Sequence, residues 1–157
     1  MGASAFGIAS AAVLVPSLLV EYFGRRVNNA LMVAIVFTLW FLAGALAARL
    51  TGRIRDAVLS STLSAQIGSL ANVGAILASY YVLRGSSLQD RFFRTEGTYE
   101  DFARSGAGDF SAFVMGDLFG GAFFHLLLGG LAGALLGIVG GTLTVGVTHA
   151  IKRWSYR

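Results

Sequence analysis

Four long apolar stretches constrain the fold of this chain more than any other feature of its sequence. They lie at about residues 3–23, 27–48, 57–83 and 118–151. Each has the roughly 20 residues that a helix needs to cross a hydrocarbon layer of about 30 Å. Because lipid offers no hydrogen-bond partner to an open backbone, such stretches cross a membrane as helices. The sequence therefore predicts an all-α membrane protein, a bundle of four transmembrane helices.

The content of charged residues supports a membrane location. Of the 157 residues, 55% are hydrophobic and 13% are charged, whereas a soluble domain carries about 25% charged residues. Half of that charge is too little to cover a water-facing surface. Little of the chain lies outside the four stretches, so residues 1–157 are expected to form a single membrane domain.

Residues 84–117 form the one long polar connection, which joins the third and fourth stretches. It contains six acidic residues and four arginines together with six aromatic residues. Disordered linkers are poor in aromatic residues, so this connection is expected to fold down on the membrane surface. Asp109, followed by Phe110 and Phe113 at helical spacing, predicts a short interfacial helix that leads into the last span.

Glycine spacing in the fourth stretch is the strongest local pattern. A glycine in a helix interior costs about 1 kcal/mol relative to alanine, so regularly spaced glycines indicate that another backbone approaches closely. That backbone belongs either to a helix of the same bundle or to a second protein chain. Smaller matches occur in the second and third stretches. The predicted helix-packing residues are Gly121, Gly129, Gly133, Gly137 and Gly141, with Gly44 and Gly68.

Polar residues are concentrated in the third stretch. Ser64, Gln66, Ser69 and Asn72 lie there, and His125 lies near the start of the fourth stretch. These side chains are predicted to form a polar membrane face. They either line a path for an ion or small polar solute or form hydrogen bonds between helices, each worth about 0.6 kcal/mol in a membrane. For His125, the alternatives are a bond to a serine of the third stretch and ligation of a pigment or haem with a partner's help.

The sequence contains no pattern for catalysis or for a cofactor. P-loop, HExxH, GxSxG and dinucleotide motifs are absent, and the chain has no cysteine for a thiolate site. Glu96, Glu100 and Asp101 are interspersed with arginines, which favours surface ion pairs over a divalent metal site. No catalytic residue, cofactor or metal ligand is therefore assigned.

These observations favour a non-enzymatic function. The leading hypothesis is a structural or accessory subunit that uses glycine-mediated helix packing to self-associate or to dock on a larger membrane complex. The alternative is a small channel or carrier for an ion or small polar solute, lined by the third stretch. The net charge of +4 comes from arginines at helix ends, which suits contact with lipid head groups and forms no stripe for nucleic acid.

The expected location is the cell membrane, with several spans. With four spans, the 12 Lys and Arg residues divide equally between the two sides of the membrane, so their bias does not set the orientation. The aromatic connection resembles an external cap more than a cytoplasmic turn. The termini are therefore expected to be cytoplasmic.

Overall fold

Every regular element in the described part of the chain is a helix. The computed structural model describes residues 2–22 and 28–155, and 90% of the structure is helical. The predicted all-α fold class is confirmed. The helices are α1 (Ala3–Tyr22), α2 (Asn29–Thr51), α3 (Ile54–Val82), α4 (Ser87–Thr95), α5 (Thr98–Ser105) and α6 (Phe110–Ser155).

Two helices are long and apolar enough to cross a membrane. They are Asn29–Thr51, with a mean hydropathy of 2.4, and Phe110–Ile151, with a mean hydropathy of 2.1. Only 22% and 17% of their most apolar windows are buried inside the structure, whereas the core helix of a soluble protein is mostly buried. The shorter apolar stretch Ala3–Leu18 lies in α1. Length and composition thus identify two of the four predicted spans.

The last helix differs most from its predicted bounds. It begins at Phe110 rather than at Leu118 and contains 46 residues, which gives a length of about 69 Å at 1.5 Å per residue. The Asp109 carboxylate accepts a hydrogen bond from the backbone N–H of Ala112 at 2.6 Å. This bond satisfies one of the free N–H groups at a helix start. The predicted interfacial helix and the last span are therefore one continuous helix.

The bounds of the other helices lie within three residues of the prediction where the structure describes them. The second helix ends at Thr51, where Gly52 adopts a φ of 70° and its N–H bonds to the carbonyl of Ala48. The third helix begins at Ile54 rather than at residue 57. The predicted boundary between the first and second helices, at residues 23 and 27, lies outside the described residues.

Helix α3 occupies the centre of the bundle, since it packs against α1, α2 and α6. Buried polar contacts join these helices. The indole Nε1 of Trp40 donates to Ser10 Oγ at 3.0 Å, which links α2 to α1. Ser64 Oγ lies 2.8 Å from the carbonyl oxygen of Ala3, which links α3 to α1. Buried serines therefore lie among the alanines and Trp40 at the centre of the bundle.

The connection between α3 and α6 is folded into a compact unit, here called the cap, which comprises α4, α5 and the first two turns of α6. Its core is aromatic: the Phe93 and Phe110 ring centroids lie 5.5 Å apart, and the Tyr99 and Phe110 rings stack at 4.9 Å. Gln89 Nε2 donates to the carbonyl oxygen of Tyr80 at 3.0 Å and holds α4 on the end of α3. Aromatic packing of this kind explains why the connection is ordered.

Candidate ligand groove between the second and last helices

The glycine row of α6, defined as Gly129, Gly133, Gly137 and Gly141, faces α3. A Cβ placed on Gly133 would lie 2.8 Å from Ala65 Cβ, and one placed on Gly137 would lie 2.7 Å from the Cα of Val58. Real side chains do not approach so closely, so the absence of side chains lets the two backbones touch. The close approach that the glycine spacing predicts occurs inside this chain, between α6 and α3.

The other predicted glycines have different surroundings. A Cβ on Gly44 would lie 3.0 Å from the Cα of Gly137, and one on Gly68 would lie 2.9 Å from Ser10 Cβ. Helices α2, α3 and α6 therefore meet near Gly44 and Gly137. Around Gly121, in contrast, no atom of another described element lies within 4 Å of a Cβ position. Gly121 thus lies in the helical register of the row but outside its contacts.

The predicted polar membrane face separates into two groups. The first group consists of Ser64 and Gln66, which are used in contacts between helices. Ser64 Oγ is 2.8 Å from the carbonyl oxygens of Ala3 and Ser60, and Gln66 Nε2 donates to the Leu126 carbonyl at 2.9 Å. Both side chains thus donate to backbone carbonyls inside the bundle.

The second group consists of Ser69, Asn72 and His125, which line one groove between α2 and α6. The groove has a volume of about 550 Å³ and is otherwise lined mainly by apolar side chains, among them Phe37, Trp40, Leu131, Ala132 and Leu135. Within the described part of the chain, the side chains of these three polar residues form no hydrogen bond or ion pair. They are therefore available to a bound molecule.

The groove has a buried floor and an exposed rim. On the floor, Val36 is 3%, Trp40 5% and Ser69 6% exposed, while Leu131 and Leu135 on the rim are 55% and 63% exposed. The groove lies on the cap side of the meeting point of Gly44 and Gly137, because its lining residues precede those glycines in α2 and α6. It therefore opens sideways, between two helices, onto the outer surface of the bundle.

His125 lies where the groove meets a second cavity beneath the cap. That cavity has a volume of about 460 Å³, and its lining includes Tyr80, Glu96, Asp101 and Asp117 as well as His125. No group of three or more His, Cys, Asp or Glu residues is arranged to hold a metal ion in the described ranges. The polar end of the groove thus adjoins an acidic space under the cap.

Hydrogen bonding lowers the pKa of one carboxyl group in the cap. Asp90 accepts hydrogen bonds from Arg94 Nε at 3.0 Å and from the Tyr99 hydroxyl at 2.8 Å. Both bonds favour the charged carboxylate, so the pKa of Asp90 lies below its ordinary value. The same bond to Asp90 raises the pKa of Tyr99. The Tyr99 bond to Asp90 joins α5 to α4, whereas the Arg94 pair lies within α4.

Sequence reasoning did not identify the contribution of α2 to this site. Trp40 is the one signal that points to it. Tryptophan is usually enriched at the membrane interface, yet Trp40 lies at the midpoint of Asn29–Thr51. A tryptophan at that depth indicates a special packing or binding role.

Comparison with protein-family models, with curated proteins and with solved structures finds no match for this chain. The function is therefore inferred from the bundle surface and from the groove.

Proposed function

We propose that this chain is a non-enzymatic integral membrane protein that crosses the bilayer four times, through α1, α2, α3 and α6, and serves as a structural or accessory subunit of a membrane assembly. One observation carries the membrane part of the proposal. The largest fully buried side chains are Ser10, Ser61 and Ser64, while large apolar side chains such as Leu131 and Leu135 are exposed along the long helices. A water-soluble protein has the opposite arrangement.

Helix α3 supports a four-span arrangement even though it is the most polar of the long helices. It contains 29 residues, which is about 44 Å of helix, and no charged residue lies between Asp56 and Arg84. Its serines face the neighbouring helices, whereas Leu59, Leu63 and Leu70 are exposed. The surface that it presents to lipid is therefore apolar, as a spanning helix requires.

The position of the glycine row changes how the subunit would meet a partner. Because α3 occupies the row, the row stabilises the subunit itself. A second copy or a larger complex would instead contact the outer faces of the long helices or the cap. On α6, Phe119, Phe123 and Phe124 are exposed and lie on such an outer face.

The channel or carrier for small polar solutes has less support. An aqueous path along α3 needs polar groups that are free to contact the solute. Ser64 and Gln66 instead bond to backbone carbonyls of α1 and α6, and the groove that contains Ser69 is mainly apolar. These contacts favour interhelical hydrogen bonding as the role of the α3 polar face.

Native mass spectrometry of the protein, extracted from its own membrane in mild detergent, tests the accessory role. We expect a defined homo-oligomer or a reproducible complex with another membrane protein. Phe123→Ala removes an exposed ring from the outer face of α6 and should weaken that complex without unfolding the subunit, while Leu70→Ala removes an exposed side chain from α3 as the matched control. A monomer with no partner at native expression levels would contradict the proposal.

A further inference from the structure

We propose that the groove between α2 and α6 holds one acyl chain of a glycerolipid drawn from the leaflet on the cap side, with the lipid ester carbonyls bound by Asn72 and His125. This inference goes beyond an accessory role, and it rests on the proposed insertion of the chain into a bilayer.

The length and position of the groove match one leaflet. Met32, near its upper end, lies three residues beyond the start of α2 at Asn29, and exposed Asn28 and Asn29 suit the membrane interface. Trp40 lies eleven residues from either end of α2, and therefore near the bilayer midplane. The groove thus extends from the interface to the middle of the membrane, the depth that a single acyl chain spans.

The polar residues lie at the correct end of the groove for a lipid. His125 precedes the apolar lining residue Leu135 by ten residues of α6, about 15 Å, and the cap lies beyond it. Asn72 is farther along α3 toward the cap than Ser69, which lies opposite Gly129. The polar end therefore faces the interface and the apolar end faces the midplane, which is the orientation of a lipid in that leaflet.

Hydrogen bonding gives the site its selectivity. Lipid chains are as apolar as the groove walls, so moving a chain from the bilayer into the groove gains little hydrophobic free energy. Asn72 and His125 each offer a donor but bond to no described residue. Ester carbonyls accept hydrogen bonds and have no donors of their own. A lipid that brings them to this site supplies acceptors for the Asn72 and His125 donors, which have no acceptor among the described residues.

The volume of the groove fits such an occupant. About 550 Å³ lies within the range of roughly 300–1,000 Å³ that is typical of sites for one small molecule. The exposed rim at Leu131 and Leu135 lets a chain enter sideways from the bilayer. The cavity beneath the cap shares His125 with the groove and continues from its polar end.

Fluorescence of Trp40 provides a direct test. The chain has two tryptophans, so Trp154→Phe, at an exposed position near the end of α6, leaves Trp40 alone. The protein is placed in vesicles of ether phosphatidylcholine, which lacks ester carbonyls, with increasing amounts of ester phosphatidylcholine brominated at carbons 11 and 12. Bromine quenches tryptophan on contact, and Trp40 is 5% exposed, so quenching reports a chain inside the groove.

We expect Trp40 to be half-quenched at a mole fraction of ester lipid of about 0.1, which corresponds to a roughly tenfold preference from hydrogen bonding. The double variant Asn72→Leu with His125→Leu should move this midpoint to about one half, the value for no preference. Equal midpoints in the two proteins would overturn the assignment of the carbonyl site.

A variant that fills the groove tests the acyl-chain site independently of the site for the ester carbonyls. Ala132→Phe places a ring among the lining residues and should reduce maximal Trp40 quenching at least about twofold, while Ala78→Phe, on an exposed face of α3, should leave it unchanged. Undiminished quenching in folded Ala132→Phe protein would overturn the proposal. If Ala132→Phe does not fold, the midpoint of the double variant Asn72→Leu with His125→Leu decides whether the lipid site exists.

Flotation of the vesicles separates failure of the lipid site from failure of the proposed membrane location. Protein that does not float with the vesicles contradicts insertion, and the lipid inference with it. Protein that floats but shows quenching in simple proportion to the brominated fraction contradicts the lipid site alone.

Discussion

Gly44 of α2 and Gly137 of α6 lie so close together that a Cβ on Gly44 would be 3.0 Å from the Cα of Gly137. The carbonyl oxygen of Ala57 in α3 lies 3.2 Å from the same Cβ position. Three helices therefore share one contact point, and no side chain fits between them. Beyond this point, toward the cap, α2 and α6 leave the groove between them. The tight contact and the open groove are consequences of the same helix arrangement.

The first prediction concerns stability at this contact point. We expect Gly137→Leu to lower the free energy of unfolding by about 1–3 kcal/mol, because the new side chain would overlap with Val58 and Ala57. Gly121→Leu, at an open position, should change it by less than about 0.5 kcal/mol. Unfolding in detergent micelles with increasing sodium dodecyl sulfate measures both. Equal effects of the two substitutions would show that the row does not pack as described.

The second prediction concerns the buried bond between Trp40 and Ser10. Ser10 is fully buried, so Ser10→Ala leaves the indole N–H unpaired. Because a buried donor left unpaired is the costlier case, the loss in Ser10→Ala is expected to be about 1–3 kcal/mol, and in a Trp40→Phe background the same substitution should cost less, since the donor is already absent. This double-mutant cycle isolates the pair. Thr142→Ala is the control, because that hydroxyl is exposed and bonds within its own helix.

The third prediction concerns the pH dependence of the cap. The pKa of Asp90 lies below its ordinary value of 3.8, so its stabilising effect is complete above that value and is lost as the pH falls through the lowered pKa. The pKa of Tyr99 lies above 10.0, so its contribution is complete below pH 10.0 and is lost as the pH rises through the raised pKa.

Near-ultraviolet circular dichroism of the aromatic cap can follow both changes. The cap signal should therefore be constant between about pH 4 and pH 10, since the two groups titrate outside that range. Asp90→Asn should lower the Tyr99 titration midpoint toward its ordinary value, measured by phenolate absorbance. Glu100→Gln, at an exposed position of α5, serves as the control. An unchanged Tyr99 midpoint in Asp90→Asn would contradict the assigned bond.

The fourth prediction concerns the number of spans. The chain contains no cysteine, so a single introduced cysteine reports one position. If α1, α2, α3 and α6 all cross, Arg53→Cys and Glu100→Cys lie on opposite sides of the membrane. If only α2 and α6 cross, both lie on the same side. Labelling of intact cells with an impermeant maleimide separates these arrangements. With cytoplasmic termini, we expect labelling of Glu100→Cys alone before the cells are permeabilised.

Much of the fold could be read from the sequence because long apolar helices are defined by local properties. Apolar runs without charge predicted the long helices, and Asp109 with Phe110 and Phe113 predicted a helix start where α6 begins. The aromatic content of residues 84–117 predicted a folded connection, and α4 and α5 lie there. The spacing of the glycines in α6 predicted that another backbone approaches this helix closely. That prediction does not depend on which helix is the neighbour.

The tertiary structure decided which surfaces meet. A helix that is apolar on all sides has no polar face to fix its rotation, so sequence periodicity in α2 and α6 does not say which residues point inward. Only packing places the glycine row against α3, leaves Gly121 open, and separates Ser64 and Gln66 from the groove. Ser69 and His125 lie 56 residues apart in the chain, and they line one groove because side-chain volumes and backbone approach, which are non-local, set the helix rotations.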